Sequence, residues 1–127
     1  MRITSTLGLF GVLAAGLMPG PAHTQEPASQ YPSKPVSIVL PFTPGGSTDV
    51  EAREYGDALA KALGKPFVLD YKPGGGGVLA YAFTAKSAPD GYTVVFAGDA
   101  LTISMAMDKG RPYDPKSLQP SSMMTKW

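Results

Sequence analysis

Apolar and polar positions change period along the chain, and each change marks a predicted element. Residues 36–42 form a short run of β-branched and aliphatic side chains with Ser37 as the polar exception, which predicts a strand buried on both faces. Residues 49–63 carry apolar side chains at helical spacing instead. The predicted inner stripe of that helix is Ala52, Tyr55, Ala58, Leu59, Ala62 and Leu63. A glycine pair separates the two, so the order is strand, tight loop, helix.

Local signals indicate where this helix begins and ends. Thr48 with Glu51 three residues later has the spacing of a capping box, in which two otherwise unpaired backbone donors are satisfied. Gly64 followed by Pro66 is a typical helix stop. Gly56 is the one unfavourable interior residue and costs up to about 1 kcal/mol relative to alanine.

A second unit of the same kind follows. Residues 67–71 predict a strand, residues 72–77 a glycine-rich loop and residues 78–88 a helix. A turn at residues 89–91 leads to a third strand at residues 93–97. The predicted inner surface of the second helix is Leu79, Ala82, Phe83 and also Tyr81.

Two such units followed by a strand make a βαβαβ arrangement with parallel strands and right-handed crossovers. The predicted fold class is therefore α/β, in a lobe that covers residues 36–115. Residues 98–107 suggest a third loop followed by a short helix, and residues 116–127 an irregular tail. Both glycine loops are expected at the carboxyl ends of neighbouring strands, the edge where open α/β sheets bind ligands.

The amino terminus has the features of a secretory signal peptide at residues 1–24. Arg2 precedes an apolar segment at residues 7–18, and small residues follow, with cleavage expected near Ala22–Thr24. The apolar segment is shorter than the roughly 20 residues that span a membrane. We therefore expect export to the periplasm, no membrane insertion after signal removal, and an extended lead-in at residues 25–35.

Composition excludes several classes of chemistry. The sequence has no cysteine and one histidine, so disulfides, thiol catalysis and thiolate or multi-histidine metal sites are excluded. A net charge of +1 with scattered basic residues gives no case for nucleic acid as a partner. Neither glycine loop has the spacing of a nucleotide-binding motif, and no cofactor is predicted.

The glycine loops are candidates for an anion site. The first amide groups of a helix lack partners within the helix and lie at the positive end of its dipole. Gly45 and Gly46 allow a ligand to approach the backbone closely because they have no Cβ. One such loop is usually only a tight turn, but two side by side, each opening a helix, favour anion binding.

Five motifs in order resemble the Bug-type solute receptors of tripartite tricarboxylate transporters. They lie at residues 31–36, 41–49, 72–77, 88–93 and 112–115, so the resemblance covers nearly all of the chain from Tyr31 to Pro120. It implies a periplasmic-binding-protein-like fold of two α/β lobes that close on a small organic carboxylate and deliver it to membrane permease subunits. This sequence ends at Trp127, which predicts the first lobe with the second absent.

The resemblance also implies which residues bind the carboxylate. Backbone donors of the first loop, residues 43–48, and of the second, residues 73–78, would hold it, and Asp49 would orient a polar group of the ligand. The candidate ligand-binding residues are Thr43, Gly45, Gly46, Ser47, Thr48, Asp49, Gly75, Gly76, Gly77 and Val78. No catalytic or metal-binding residue is predicted.

The sequence departs from the family pattern at three places. Residues 78–80 are Val-Leu-Ala where the family usually has Asn-Ile-Gly, which removes an amide donor from the rim of the site. Ser104-Met105 replaces the usual Asn-Pro, and Asp99 adds a negative charge that opposes an anionic ligand.

Two other functions stay open at this point. One is a non-binding remnant or interaction module that pairs with another chain. The other is an exported enzyme, which is the weaker alternative because Ser47 or Thr48 as a nucleophile would need a base and the one histidine, His23, lies before the predicted lobe.

Overall fold

Three parallel strands form a single sheet in the order β2-β1-β3, with β1 at Val36–Leu40, β2 at Phe67–Tyr71 and β3 at Thr93–Val95. The computed structural model describes residues 27–107 and 110–122. The predicted signal peptide lies outside the described residues.

Helices follow each strand, which confirms the predicted α/β fold class and its βαβαβ order. They are α1 at Ser47–Leu63, α2 at Val78–Lys86 and α3 at Asp99–Ala106, the short third helix that the sequence suggested. Single 3-10 turns lie at Gly75–Gly77 and Pro115–Ser117. In the described part of the chain, no helix has the length and apolar character needed to cross a membrane.

The central strand β1 is buried on both faces, as its apolar run predicted. Val36, Val39 and Leu40 are almost fully buried. Gly56 of α1 lies close to the Ile38 side chain, whereas Val95, the register partner of Val39, packs against the cluster around Tyr81 of α2. Because neighbouring residues of a strand point to opposite faces, α1 and α2 cover opposite faces of the sheet.

The predicted capping box of α1 is wrong. The helix begins at Ser47 with Gly46 as its N-cap, and no side chain caps it. Thr48 is therefore already inside the first turn, and Asp49 instead accepts a hydrogen bond from the Gly45 amide. The predicted end is correct: Gly64 adopts the left-handed conformation and its amide donates to the Ala60 carbonyl.

The predicted inner stripe of α1 is only partly correct. The buried residues are Asp49, Ala52 and Gly56, whereas Ala58, Ala62 and Leu63 are exposed. Gly56 lies against Ile38 and Phe67, and the space there accommodates a Cβ at ordinary van der Waals distance from both side chains. The buried face of α1 therefore includes this glycine, and the larger apolar side chains lie beside that face.

The inner surface predicted for α2 also needs correction. Tyr81 and Ala82 are buried as predicted, but Leu79 is 57% exposed and Phe83 is 43% exposed. Tyr81 determines the orientation because its ring packs against Tyr113, with the ring centroids 6.2 Å apart. The helix is apolar on nearly all sides, so hydrophobic spacing alone does not identify its buried face.

The second glycine loop is shaped by the same tyrosine. Residues 74–77 all have positive φ, with Gly76 at +64° and Gly77 at +94°. A Cβ added at Gly77 would lie 2.8–3.0 Å from the Tyr81 ring, whereas one at Gly76 would meet nothing within 4 Å. Positive φ and contact with the Tyr81 ring both disfavour a side chain at Gly77, whereas only positive φ disfavours one at Gly76.

Gly56→Ala is expected to raise the free energy of unfolding by up to about 1 kcal/mol. The added Cβ would lie 3.5 Å from Ile38 Cδ1 and 3.6 Å from Phe67 Cβ, which is ordinary van der Waals contact. Urea unfolding followed by circular dichroism measures the change. The reverse substitution at an exposed position of the same helix, Ala58→Gly, should lower stability by a similar amount, and a loss for Gly56→Ala would contradict the packing described.

Gly77→Ala is expected to destabilise the protein more than Gly76→Ala. Both substitutions place alanine at positive φ, which costs about 1 kcal/mol, but only the first also forces a methyl group into the buried Tyr81 ring. The difference between the two midpoints of thermal unfolding therefore measures the ring contact. Equal losses would show that Tyr81 does not lie against this loop.

Candidate functional site

The two glycine loops begin at one edge of the sheet. Leu40 and Tyr71, the last residues of β1 and β2, are register partners, and the Lys72 amide donates to the Leu40 carbonyl at 2.8 Å. Since the strands are parallel, the loop that follows β1 and the loop that follows β2 leave the sheet side by side. This is the arrangement that the sequence predicted for an anion site.

The first loop presents backbone amides at the start of α1. Gly45 has φ of +94° and Gly46 is extended, so the chain turns sharply before Ser47. Ser47 and Thr48 are the first two helical residues, and their amides have no acceptor within the helix. Thr43, the first predicted site residue, is exposed at the start of the same loop.

The second loop uses part of its predicted donor set for its own turn. The Gly77 amide donates to the Gly74 carbonyl at 3.0 Å, and the Val78 amide donates to the Gly75 carbonyl. Gly75 and Gly76 are exposed, whereas Gly77 is buried. Gly77 and Val78 therefore support the loop internally, and Gly75 and Gly76 face solvent.

Among the predicted backbone donors, five that lie in the turns opening the two helices consequently stay available for a ligand. Within residues 27–107 and 110–122 they make no hydrogen bond to another group. These donors are the amides of Gly46, Ser47, Thr48, Gly75 and Gly76. They come from the loops that follow two paired strands, and each loop leads to the positive end of a helix dipole.

Asp49 is buried and has several partners. It is 7% exposed, and its Oδ2 accepts a hydrogen bond from the Gly45 amide at 2.9 Å. Its Oδ1 accepts from the Tyr71 hydroxyl at 2.5 Å and lies 3.1 Å from Arg53 Nε. Arg53 Nη2 in turn donates to the Tyr71 hydroxyl at 2.7 Å.

These contacts lower the pKa of the Asp49 carboxyl and raise the pKa of the Tyr71 hydroxyl. The hydrogen bond from Tyr71, then that from the Gly45 amide, lowers the pKa of Asp49, with Arg53 contributing further. The same hydrogen bond to Asp49 raises the pKa of the Tyr71 hydroxyl. Asp49 is therefore a carboxylate and Tyr71 a neutral donor at neutral pH.

Arg53 and Tyr71 were not among the predicted site residues. Arg53 lies four residues after Asp49, a spacing at which oppositely charged side chains of a helix meet, so the pair was detectable in the sequence. Tyr71 was not detectable in this way, since its contact with Asp49 depends on how α1 lies across β2.

Other charges at this edge do not converge on the loops. Lys72 Nζ forms an ion pair with Asp70 at 3.1 Å and lies 4.1 Å from the centroid of the Phe83 ring. Asp99 opens α3 and is exposed. No group of three or more histidine, cysteine or acidic residues in the described part of the chain is placed to hold a metal ion. The chemistry offered by the loops is hydrogen bonding to an anion.

Comparison with known proteins connects this geometry to one group of receptors. The tripartite tricarboxylate transporter family receptor profile matches residues 51–127. BugT of Bordetella pertussis is 36% identical over 126 residues, which is 97% of this chain and 37% of BugT. The chain thus spans little more than a third of the length of this relative.

Solved structures agree with the sequence matches. An R. palustris protein determined with adipate superposes with a TM-score of 0.60 at 32% identity, over 68% of this chain and 29% of that one. MatC from Rhodopseudomonas palustris, determined with bound malate, gives 0.50 at 42% identity, over 51% of this chain and 22% of MatC. The fold is that of part of a periplasmic-binding-protein lobe. The chain belongs to the tripartite tricarboxylate transporter receptor family.

Proposed function

We propose that the protein is a periplasmic substrate-binding component of a tripartite tricarboxylate transport system. It captures a small organic carboxylate through the free amides of the two glycine loops and presents it to the membrane permease subunits. The observation that carries this proposal is the register pairing of Leu40 with Tyr71, which brings both loops to one edge of the sheet.

Physical chemistry supports a carboxylate as the ligand. A helix opening favours a negative charge by about 0.3–1 kcal/mol at an exposed site, and a hydrogen bond to a charged group contributes about 1.5–3 kcal/mol net. Adipate and malate, which accompany two of the similar structures, are both dicarboxylates. The donors lie in exposed loops, so water screens them and the affinity is expected to be lower than in an enclosed cleft.

An interaction module is the second candidate, and exposed apolar side chains favour it. Val68 on the outer strand β2 is 53% exposed, and Ile103 and Met107 at α3 are 56% and 70% exposed. A partner polypeptide that packed on these side chains would remove their apolar surface from water. Sedimentation of the purified chain distinguishes the two: a stable dimer without carboxylate binding favours the module, and a monomer that binds carboxylates favours the receptor.

Titration of the purified protein with malate, adipate and citrate is expected to give saturable heat in calorimetry. Ser47→Pro should then weaken binding about tenfold or more, because it removes the Ser47 amide, one of the proposed donors. Proline is well tolerated at the first position of a helix, and the extended Gly46 before it already has a compatible conformation.

Ser47→Ala is the matched control, since it removes the hydroxyl and keeps the amide. It should bind as the unsubstituted protein does. Equal binding by Ser47→Pro and Ser47→Ala would rule out this amide as a donor. Absence of heat with all three acids, from a sample whose circular dichroism shows it folded, would overturn the proposed function.

A further inference from the structure

Both oxygens of the Asp49 carboxylate are already hydrogen-bonded within the protein. Both oxygens accept hydrogen bonds, from the Gly45 amide on one side and from Tyr71 on the other, and Arg53 pairs with the second. The Tyr71 hydroxyl donates its one proton to Asp49 and accepts from Arg53, so it has no donor left for an anionic ligand. We call these three side chains the Asp49 network.

The Asp49 network joins three segments that meet at the ligand-binding edge. Gly45 belongs to the first loop, Asp49 and Arg53 to the first two turns of α1, and Tyr71 is the last residue of β2. The second glycine loop starts one residue after Tyr71. A change at Tyr71 is therefore transmitted to the first loop through Asp49 and to the second loop through the chain itself.

Charge balance argues against direct ligand contact by Asp49. A lone carboxylate at the opening of α1 would repel an anionic ligand that the helix opening attracts. Arg53 lies against it and is 58% exposed, so the pair is close to neutral and its positive member faces solvent. The arrangement keeps the potential at the loop favourable for an anion while the carboxylate holds the backbone.

We propose that Asp49, Tyr71 and Arg53 are positioning residues that fix the first glycine loop in the shape that accepts the ligand, and that Asp49 does not itself contact the ligand. This inference rests on the proposed function and replaces the role of Asp49 that family resemblance implied. The Asp49 network holds the first loop at Gly45, whose amide donates to Asp49. The next three amides along the chain are the donors that stay free for the ligand.

Tyr71→Phe tests the proposal with Tyr92→Phe as the matched control. Tyr92 lies just before β3, at the opposite edge of the sheet, and its hydroxyl accepts a hydrogen bond from the Ser33 amide at 2.7 Å. Both substitutions remove one hydrogen-bonded hydroxyl. Tyr71→Phe is expected to weaken malate or adipate binding about tenfold and to move the amide resonance of Gly45, whereas Tyr92→Phe should change neither. Asp49→Asn, which keeps the size of the side chain, is the second variant and should move the same resonance.

The outcomes separate this inference from the proposed function. If the unsubstituted protein binds and Tyr71→Phe binds equally well, with the Gly45 resonance in place, the positioning role is wrong. If Tyr71→Phe and Tyr92→Phe lose affinity equally, the effect is general loss of stability and the positioning role is again wrong. If the unsubstituted protein binds none of the acids, the proposed function is wrong, and so is the part of this inference that concerns the ligand. The Gly45 resonance then tests the rest: a shift in Tyr71→Phe supports a loop held by the Asp49 network, and an unchanged resonance contradicts it.

The Asp49 network also predicts how stability depends on pH. Because the pKa of Asp49 is lowered in the folded protein, its stabilising contribution is complete above the ordinary value of 3.8 and is lost as pH falls through the lowered pKa. The difference in unfolding free energy between the unsubstituted protein and Asp49→Asn should therefore be constant from neutral pH to about pH 5 and shrink below pH 3.8. Urea unfolding at a series of pH values measures it, and a difference that stays constant at low pH would contradict the hydrogen-bonded carboxylate.

Discussion

Parallel pairing of β1 with β2 is the constraint on which the rest of the molecule depends. A parallel pair needs a crossover connection, and α1 supplies it and covers one face of the sheet. The same pairing places the carboxyl ends of both strands together. Each strand end continues into a glycine loop that leads to a helix. Two loops more than 25 residues apart in the sequence therefore lie at the same edge of the sheet and form one candidate site.

Backbone groups at this edge divide into those that build the loops and those left for a ligand. The amides of Gly45, Gly77 and Val78 hold turns in place. Without these internal bonds the free amides would have no fixed direction, and binding would have to order them at a cost in conformational entropy. In the proposed site, the internal bonds would therefore contribute to binding by fixing the positions of the other donors.

The helices, the strands and the sheet edge that carries both glycine loops are predictable from the sequence. Contacts that depend on how the helices pack on the strands are not. The apolar composition of the strands and the glycines that follow them predicted both ends of β2 correctly and predicted α3 as a short helix. The inner face of α1 was partly wrong because the helix buries Asp49, Ala52 and Gly56, and hydrophobic spacing does not identify a carboxylate or a glycine as buried. Tyr71 was missed because its partner Asp49 lies 22 residues away and no local pattern joins them.

A site built from main-chain donors has a consequence for selectivity. In the proposed site, amides would recognise a carboxylate and carry no information about the rest of the molecule; of the similar structures, one was determined with adipate and another with malate. Under the same proposal, Asp49 and Tyr71 act through the backbone they hold, so substitutions there would change how well any carboxylate binds. Discrimination among acids must come from groups that reach the remainder of the ligand, beyond the two glycine loops.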